Sequence, residues 1–452
     1  MFYFMSKSSF LGTQKISLLL FKQSLPAMIG MIVMSLYFLV DSIFVGRAVG
    51  PLGLAGISIT FPLHILIMAI SFLIGIGMSS IISRAFGAKK IVLAEKALGN
   101  YVSLILIAGL ITTLFFYIFL EPLLKLVGSS PQILPFAITY MGIVLISNPI
   151  FLIFSSGNNI IRSVGFAKLS MFLMLTSALL NLVLDPIFIF VYGWGISGAA
   201  WATVISQIVA GVICFWYIVS GRLGVKFYFK NLFLDLGVVK ESFSIGFSSF
   251  SRQIVGAIVI SVLNVSLAFY GGDLGVASFG VANRIFLFCM MPLLGIVQGL
   301  MPIVGYNYGA KNFDRVKSAV YVAIRYSTFF SLFFFVVVMF FAETIVKIFT
   351  KDVSLIIFSA FGVRLMFLLI ITMGFQTIVG GFLQALGKGV PAFFISVQKY
   401  IFLLPLIFIL PLFFGFNGLW YSYAVADCLS FFVSFFIFRK EIKTLKIISD
   451  DK

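Results

Sequence analysis

Apolar residues run along this chain in blocks of twenty or more, separated by short segments that gather most of its charges. A block of that length, coiled as an α-helix, crosses the ~30 Å hydrocarbon core of a bilayer. Twelve such blocks can be marked, at residues 17–46, 56–83, 98–120, 134–160, 168–190, 197–220, 244–270, 276–306, 320–349, 354–384, 391–413 and 417–438. The 13 Pro and 40 Gly lie within and between them, which suits membrane helices and not the ten-residue alternation of an outer-membrane barrel. The pattern predicts an all-α integral membrane protein with twelve transmembrane helices.

The blocks repeat. An offset of 222 residues aligns Gly50 to Leu98 with Gly272 to Val320 without a gap, pairing Gly53 with Gly275, Gly77 with Gly299, Gly87 with Gly309 and Lys89 with Lys311. The same offset pairs Gly165 with Gly387, and Gly198 meets Gly418 after a two-residue shortening. Each copy holds six spans, an even number, so both enter the membrane in the same direction, as pseudo-symmetric lobes related by an axis along the membrane normal. The expected organisation is a first lobe over 1–220, a linker over 221–241, and a second lobe with a short tail over 242–452. The linker is partly amphipathic and suited to the membrane surface.

Composition then excludes the soluble classes, since the chain is 62% hydrophobic and only 10% charged. A net charge of +17 would suggest nucleic acid in a soluble protein, but 23 of the 31 Lys and Arg fall on one side of the predicted membrane. They include Lys7, Lys15 and Lys22 at the N-terminal end, Arg162 and Lys168 in the fourth connection, and Lys452 in the tail. By the positive-inside rule both termini are cytoplasmic, and the charge signals topology, with the lipid bilayer and not nucleic acid as partner. No cleavable leader is expected, because the first span is far longer than a signal core. Cys214, Cys289 and Cys428 lie in spans at unrelated spacings, so neither a disulfide framework nor a metal site is expected. His64, the only histidine, is read as structural.

Of the fourteen acids, Glu121, Asp273, Glu343 and Asp352 lie at or near outer ends, and only Asp41, Asp185 and Asp427 remain within spans, where a carboxylate costs about 2.5–3.5 kcal/mol on insertion scales and marks ion or proton traffic. Asp41 and Asp185 lie near the outer ends of two outward-running spans. Asn181 precedes Asp185 by one helical turn on the same face, and Thr203 lies about 12 Å down the following inward span at 1.5 Å per residue. Pro186 cannot donate to the carbonyl of Leu182, which frees another oxygen. These oxygens suit a hard monovalent cation, and two desolvated carboxyls can instead take a proton. The coupling ion is thus a proton or sodium, with no other cofactor. Asp427 can pair with Lys399 or Arg284 in a second polar site. At the 222 offset Asp41 and Asp185 meet Leu263 and Ile407, so ion chemistry is expected in the first lobe alone.

The segments SLPAMIG (24–30), YFLVDSIFVG (37–46), GAK (87–89), NLVLDPIF (181–188) and GISGAAWAT (195–203) resemble the multidrug and toxic compound extrusion (MATE) transporters, in particular their DinF-like branch. The resemblance covers nearly the whole chain. It implies twelve helices in two six-helix lobes around a V-shaped cavity, and cation-driven export of amphipathic, often cationic compounds from a bacterial or archaeal cytoplasmic membrane. By motif, Asp41, Asn181, Asp185 and Thr203 match the family's polar first-lobe network, and Pro26 matches the proline at which the first helix bends. Asp427 and Lys399 match no family motif. A monomer is expected.

The 56 Phe, 16 Tyr and 16 Met could line a pocket for aromatic cations, yet most such residues face lipid or fill helix packing, and none is assigned to substrate. Two other readings compete. A flippase for lipid-linked oligosaccharides, from a related superfamily, would use Arg252, Arg284, Arg364 and Lys399 as a cationic cavity, but the first-lobe acids argue against it. A membrane enzyme such as a prenyltransferase needs paired acids around a magnesium-diphosphate or a histidine-bearing active site, and this chain has one His and no DxxxD or DDxxD on its spans.

Overall fold

Within a bilayer every backbone N–H and C=O must find a partner inside the protein, and the helix supplies one for each. The computed structural model describes the backbone of residues 9–450, and Lys7, Asp451 and Lys452 lie outside the described residues. The first lobe comprises α1 (Ile16–Ala48), α2 (Pro51–Gly87), α3 (Ile91–Leu126), α4 (Leu134–Ser163), α5 (Ala167–Val191) and α6 (Gly195–Val219). A 74-residue helical stretch, Leu236–Gly309, would be about 110 Å long if straight. It is two spans, α7 (236–271) and α8 (273–309), parted at Gly272 where φ is 57° and ψ is −154°. The second lobe continues with α9 (Phe313–Val346), α10 (Val353–Phe367 and Ile370–Ala385, bent by 49°), α11 (Gly389–Phe414) and α12 (Phe416–Asp450). Among the described residues this makes twelve segments long and apolar enough to cross a membrane, counting the bent α10 as one. Several helices, α2, α3, α7 and α12 among them, run past the hydrocarbon-length blocks of the sequence because their polar ends are equally able to stay helical in water.

Duplication is visible in the backbone. Left-handed φ values recur in pairs: Gly50 and Gly272, Lys89 and Lys311, Gly165 and Gly387, Gly195 and Gly415. Lys89 and Lys311 each close a helix with a Schellman cap. The Lys90 N–H donates to the Ala85 carbonyl at 2.9 Å and the Asn312 N–H to the Asn307 carbonyl at 2.8 Å. Gly165 and Gly387 close α4 and α10 in the same way. The interruption also repeats: α4 tightens to a 3-10 turn at Leu145–Ser147, and α10 breaks at 368–369, the same place in the repeat.

A left-handed cap normally takes glycine, yet lysine occupies it at 89 and 311 while the glycines sit two residues earlier. Packing accounts for this displacement. A Cβ on Gly87 would stand 1.8 Å from the Tyr306 carbonyl oxygen, and one on Gly309 would stand 2.0 Å from the Arg84 carbonyl oxygen. The two glycines let α2 and α8 cross backbone to backbone at the pseudo-twofold axis. Around this crossing, Ser80 donates to the Gln384 carbonyl at 2.6 Å, Ser83 to the Pro302 carbonyl at 3.2 Å, and Arg84 pairs with Glu241 at 2.7 Å. The Asn307 amide reaches the Leu11 carbonyl at 2.9 Å. These bonds clamp the lobes together at the end that carries both termini.

The linker departs from expectation in two respects. It ends at Asp235, whose side chain caps α7 by accepting from the Val238 N–H, so residues 236–241 belong to the helix. It also docks on α3: Asn100 donates to the carbonyls of Asn231 and Phe233 at 3.0 and 3.1 Å and accepts from the Asp235 N–H at 2.7 Å. Phe229, Phe233 and Leu236 remain exposed, an apolar row at the membrane border. A further correction concerns Arg162. It is no loop residue but lies on the last turn of α4, only 6% exposed.

Candidate functional site

Asp41 and Asp185 come from helices that touch along the first lobe, and their carboxyls lie within hydrogen-bond distance of each other. Both are buried, as are Asn181 and Thr203. Asn181, one turn before Asp185, is fixed by what its amide meets. In the orientation that gives both ends a partner, its nitrogen donates to Asp185 Oδ2 at 2.8 Å and its oxygen accepts from the Thr203 N–H at 3.2 Å. With the amide reversed, the nitrogen sits 3.3 Å from both Asp185 Oδ1 and Thr203 Oγ1, a weaker set. The first orientation is the better account.

Two tyrosines complete the cluster. Tyr37 of α1 and Tyr140 of α4 both lie close to the Thr203 side chain. Four helices therefore meet at one polar knot: α1 supplies Tyr37 and Asp41, α4 Tyr140, α5 Asn181 and Asp185, α6 Thr203. Sequence reasoning missed both tyrosines. Tyr37 stands one turn before Asp41 on the same face, a signal that was available. Tyr140 arrives by tertiary packing alone, with no local signature. Asp41 Oδ1 is buried without a hydrogen-bond partner, so the knot still has an acceptor to offer.

Pro186 shapes the helix below the knot. The N–H it lacks leaves the Leu182 carbonyl unclaimed, and the chain responds with a π-helical turn over Ile187–Val191. Such turns change the direction of the residues that follow and recur at functional sites. Pro26 is different in outcome: α1 passes through it as one helix from Ile16 to Ala48, with no break there. The carbonyl of Lys22 is the one this proline leaves without its donor.

In the second lobe Lys399 and Asp427 meet, with Nζ 2.9 Å from Oδ1 and 3.1 Å from Oδ2. The ammonium also lies over the rings of Tyr423 and Phe286, at 5.2 and 5.6 Å. Arg284 is exposed and forms no ion pair among the described residues, so the polar site is a closed pair and not the expected trio. Arg364 is engaged with Glu343 at 3.5 Å. His64 stacks edge-on to Tyr140 at 6.4 Å beside the knot. Outside the membrane, Lys96 hydrogen-bonds the Asp235 carboxylate and, with the Val238 N–H, holds its pKa below the usual range.

The family model MatE matches residues 26–187 and 245–409, one stretch in each lobe. The chain belongs to the MATE family. This MATE chain is 27% identical over 414 residues to the multidrug export protein MepA of Staphylococcus haemolyticus, covering 92% of itself and 91% of that relative. It is also 28% identical over 411 residues to MepA of Staphylococcus aureus strain N315, covering 90% of each. Among solved structures, a MOP superfamily transporter from Pyrococcus furiosus, described as having a binding pocket of reverse polarity, superposes with a TM-score of 0.92 at 27% identity, over 97% of this chain and 98% of that one. A multidrug resistance MATE transporter in its outward-facing conformation gives a TM-score of 0.89 at 26% identity, over 96% and 98%.

Proposed function

We propose that this MATE chain is a proton-coupled antiporter that exports amphipathic, often cationic drugs or toxic metabolites by alternating access, with both termini on the cytoplasmic side. The observation that carries the proposal is the Asp41–Asp185 contact. Two carboxyls hydrogen-bond each other only when one of them carries a proton, so the pair is arranged as a proton carrier. Asn181 supports this, because its nitrogen and not its oxygen faces Asp185, an arrangement that serves a carboxyl better than a sodium ion.

Release of that proton leaves two negative charges close together in a low dielectric, an arrangement that drives the helices apart unless the proton is replaced. Export of a cationic compound against proton entry follows if α1 answers that repulsion by bending at Pro26. The flippase reading is weakened at two of its four second-lobe bases, since Lys399 is neutralised by Asp427 and Arg364 faces Glu343. The test is drug export from vesicles under an imposed proton or sodium gradient, for the wild type and for Asp41→Asn and Asp185→Asn. Normal export by both variants would sink the coupling site, and export that follows sodium at zero proton gradient would replace the proton by sodium.

A further inference from the structure

We propose that the junction between the lobes holds a binding site for a small monovalent inorganic anion of halide size, organised by Arg162. The guanidinium carries its charge at every physiological pH. It is buried, yet its partners are neutral: Nη1 donates to Ser170 Oγ at 2.8 Å and Nη2 to Asn159 Oδ1 at 2.9 Å. Ser170 Oγ passes its own proton to Asn158 Oδ1 at 2.7 Å. The Nε–H is buried with no partner at all. Among the described residues Arg162 forms no ion pair, in contrast to Lys399, which has Asp427. A buried cation left without a counter-ion is strongly unfavourable, so a charge of the opposite sign is called for from outside the chain.

The space for it is present. Arg162 lines a cavity of about 20 Å³ together with Ser79 of α2, Asn159 and Ser163 of α4, and Gln298 of α8. Met301, Pro302 and Ala385 complete walls of mixed polarity, and a cavity of this size holds one or two waters. That fits a halide better than phosphate or an organic acid. Ser79 and Ser163 now donate to the carbonyls of Ile76 and Ile160, three residues back in their own helices, at 2.9 and 2.7 Å. Either hydroxyl can turn to an anion while that carbonyl keeps its place in the helix ladder. Gln298 adds an amide from the other lobe.

The site draws on both lobes, beside the Ser80 and Ser83 bonds that join them, so moving the lobes apart at this end dismantles it. An anion here binds the clamped arrangement better than a separated one and stabilises it by that difference. The test uses the purified full chain in lipid nanodiscs, with chloride titrated against gluconate at constant ionic strength. Chlorine NMR line width and the melting midpoint are read together. The wild type is expected to give saturable line broadening and a higher midpoint in chloride, and Arg162→Gln to lose both. Gln298→Glu supplies a fixed carboxylate across the cavity and decides the matter even if Arg162→Gln fails to fold. It is expected to melt in gluconate at least as high as the wild type does in chloride, and to show no chloride response. Identical wild-type behaviour in the two salts, or a full chloride response in Gln298→Glu, overturns the proposal.

Discussion

Placing one methyl group at the crossing of α2 and α8 tests the account of how the lobes are clamped. In Gly87→Ala the new Cβ would meet the Tyr306 carbonyl oxygen at 1.8 Å and the Ala310 nitrogen at 2.9 Å. Both are backbone atoms and cannot swing aside. Ordinary contact begins near 3.4 Å, so the helices must part by about 1.6 Å at this point. A shift of that size breaks the neighbouring Ser83 bond to Pro302, now 3.2 Å long. Overpacking of a tight contact costs about 1–3 kcal/mol and a lost buried hydrogen bond about 1 kcal/mol. Together they disfavour the clamped end by about 2–4 kcal/mol, a roughly thirty- to several-hundred-fold change in the lobe equilibrium. Spin labels on the exposed Lys90 and Asn312, read by pulsed dipolar spectroscopy in nanodiscs, should move from one short distance to a longer population. Export should slow with it. Gly280→Ala is the control, since a Cβ there has no atom within 4 Å. An unchanged distance distribution in Gly87→Ala, with the control equally silent, refutes the argument that this backbone crossing sets the clamp.

Other expectations follow from the same geometry. Thr203→Val keeps the shape of the first-lobe knot but removes the hydroxyl that lies beside Tyr37 and Tyr140; drug efflux should fall at least tenfold while the melting midpoint moves little, and unchanged efflux would remove Thr203 from the coupling set. Lys399→Met strands the buried Asp427 and should destabilise by about 3–5 kcal/mol, whereas Lys399→Met with Asp427→Leu should recover most of the loss, as measured by thermal melting of each variant. The Asp235 carboxyl has its pKa lowered on folding by Lys96 and the Val238 N–H. Its contribution is therefore full above the ordinary carboxylate range and disappears as pH falls through the depressed folded value. Limited proteolysis of the linker should rise in acid for the wild type and already be high at neutral pH in Asp235→Asn; a linker equally resistant in both would contradict this.

The span pattern was legible because a bilayer imposes one length on every helix, and apolar blocks of that length have few other uses. The duplication was legible for a related reason: glycines needed at caps and crossings recur at one offset, as Gly87 and Gly309 do. What the pattern concealed belongs to tertiary packing. Arg162 reads as a loop base because it stands near the end of a block, and only the neighbouring Ser170, Asn158 and Asn159 reveal that it is buried. The bend within α10 and the π turn after Pro186 lie inside apolar runs that give no hint of their direction. Tyr140 enters the knot from a helix whose local sequence holds no acid.

The duplicated backbone also accounts for the confinement of the buried acid pair to one lobe. The positions equivalent to Tyr37, Asp41, Asn181 and Asp185 are Val259, Leu263, Leu403 and Ile407, every one buried and apolar. Tyr140 corresponds to Gly362 at the 222 offset, and Ala200 corresponds to Trp420 after the two-residue shortening. A Cβ on Gly362 would stand 2.4 Å from the Trp420 ring, so the indole fills the volume that a tyrosine on the facing helix occupies in the first lobe. Large and small have exchanged across the same pair of helices. The second lobe thus keeps the packing of the first while filling its polar chamber with aliphatic and aromatic side chains, Tyr423 standing where Thr203 does, and Lys399 with Asp427 forms a charge pair that closes on itself. Restoring chemistry there requires more than an acid. Leu263→Asp alone would bury a carboxylate against Leu267, Leu403 and Ile407 with no Asn181 or Thr203 to receive it, so it should destabilise the second lobe without conferring coupling. A melting midpoint equal to that of the wild type would show that the hydrocarbon plug is looser than its packing indicates.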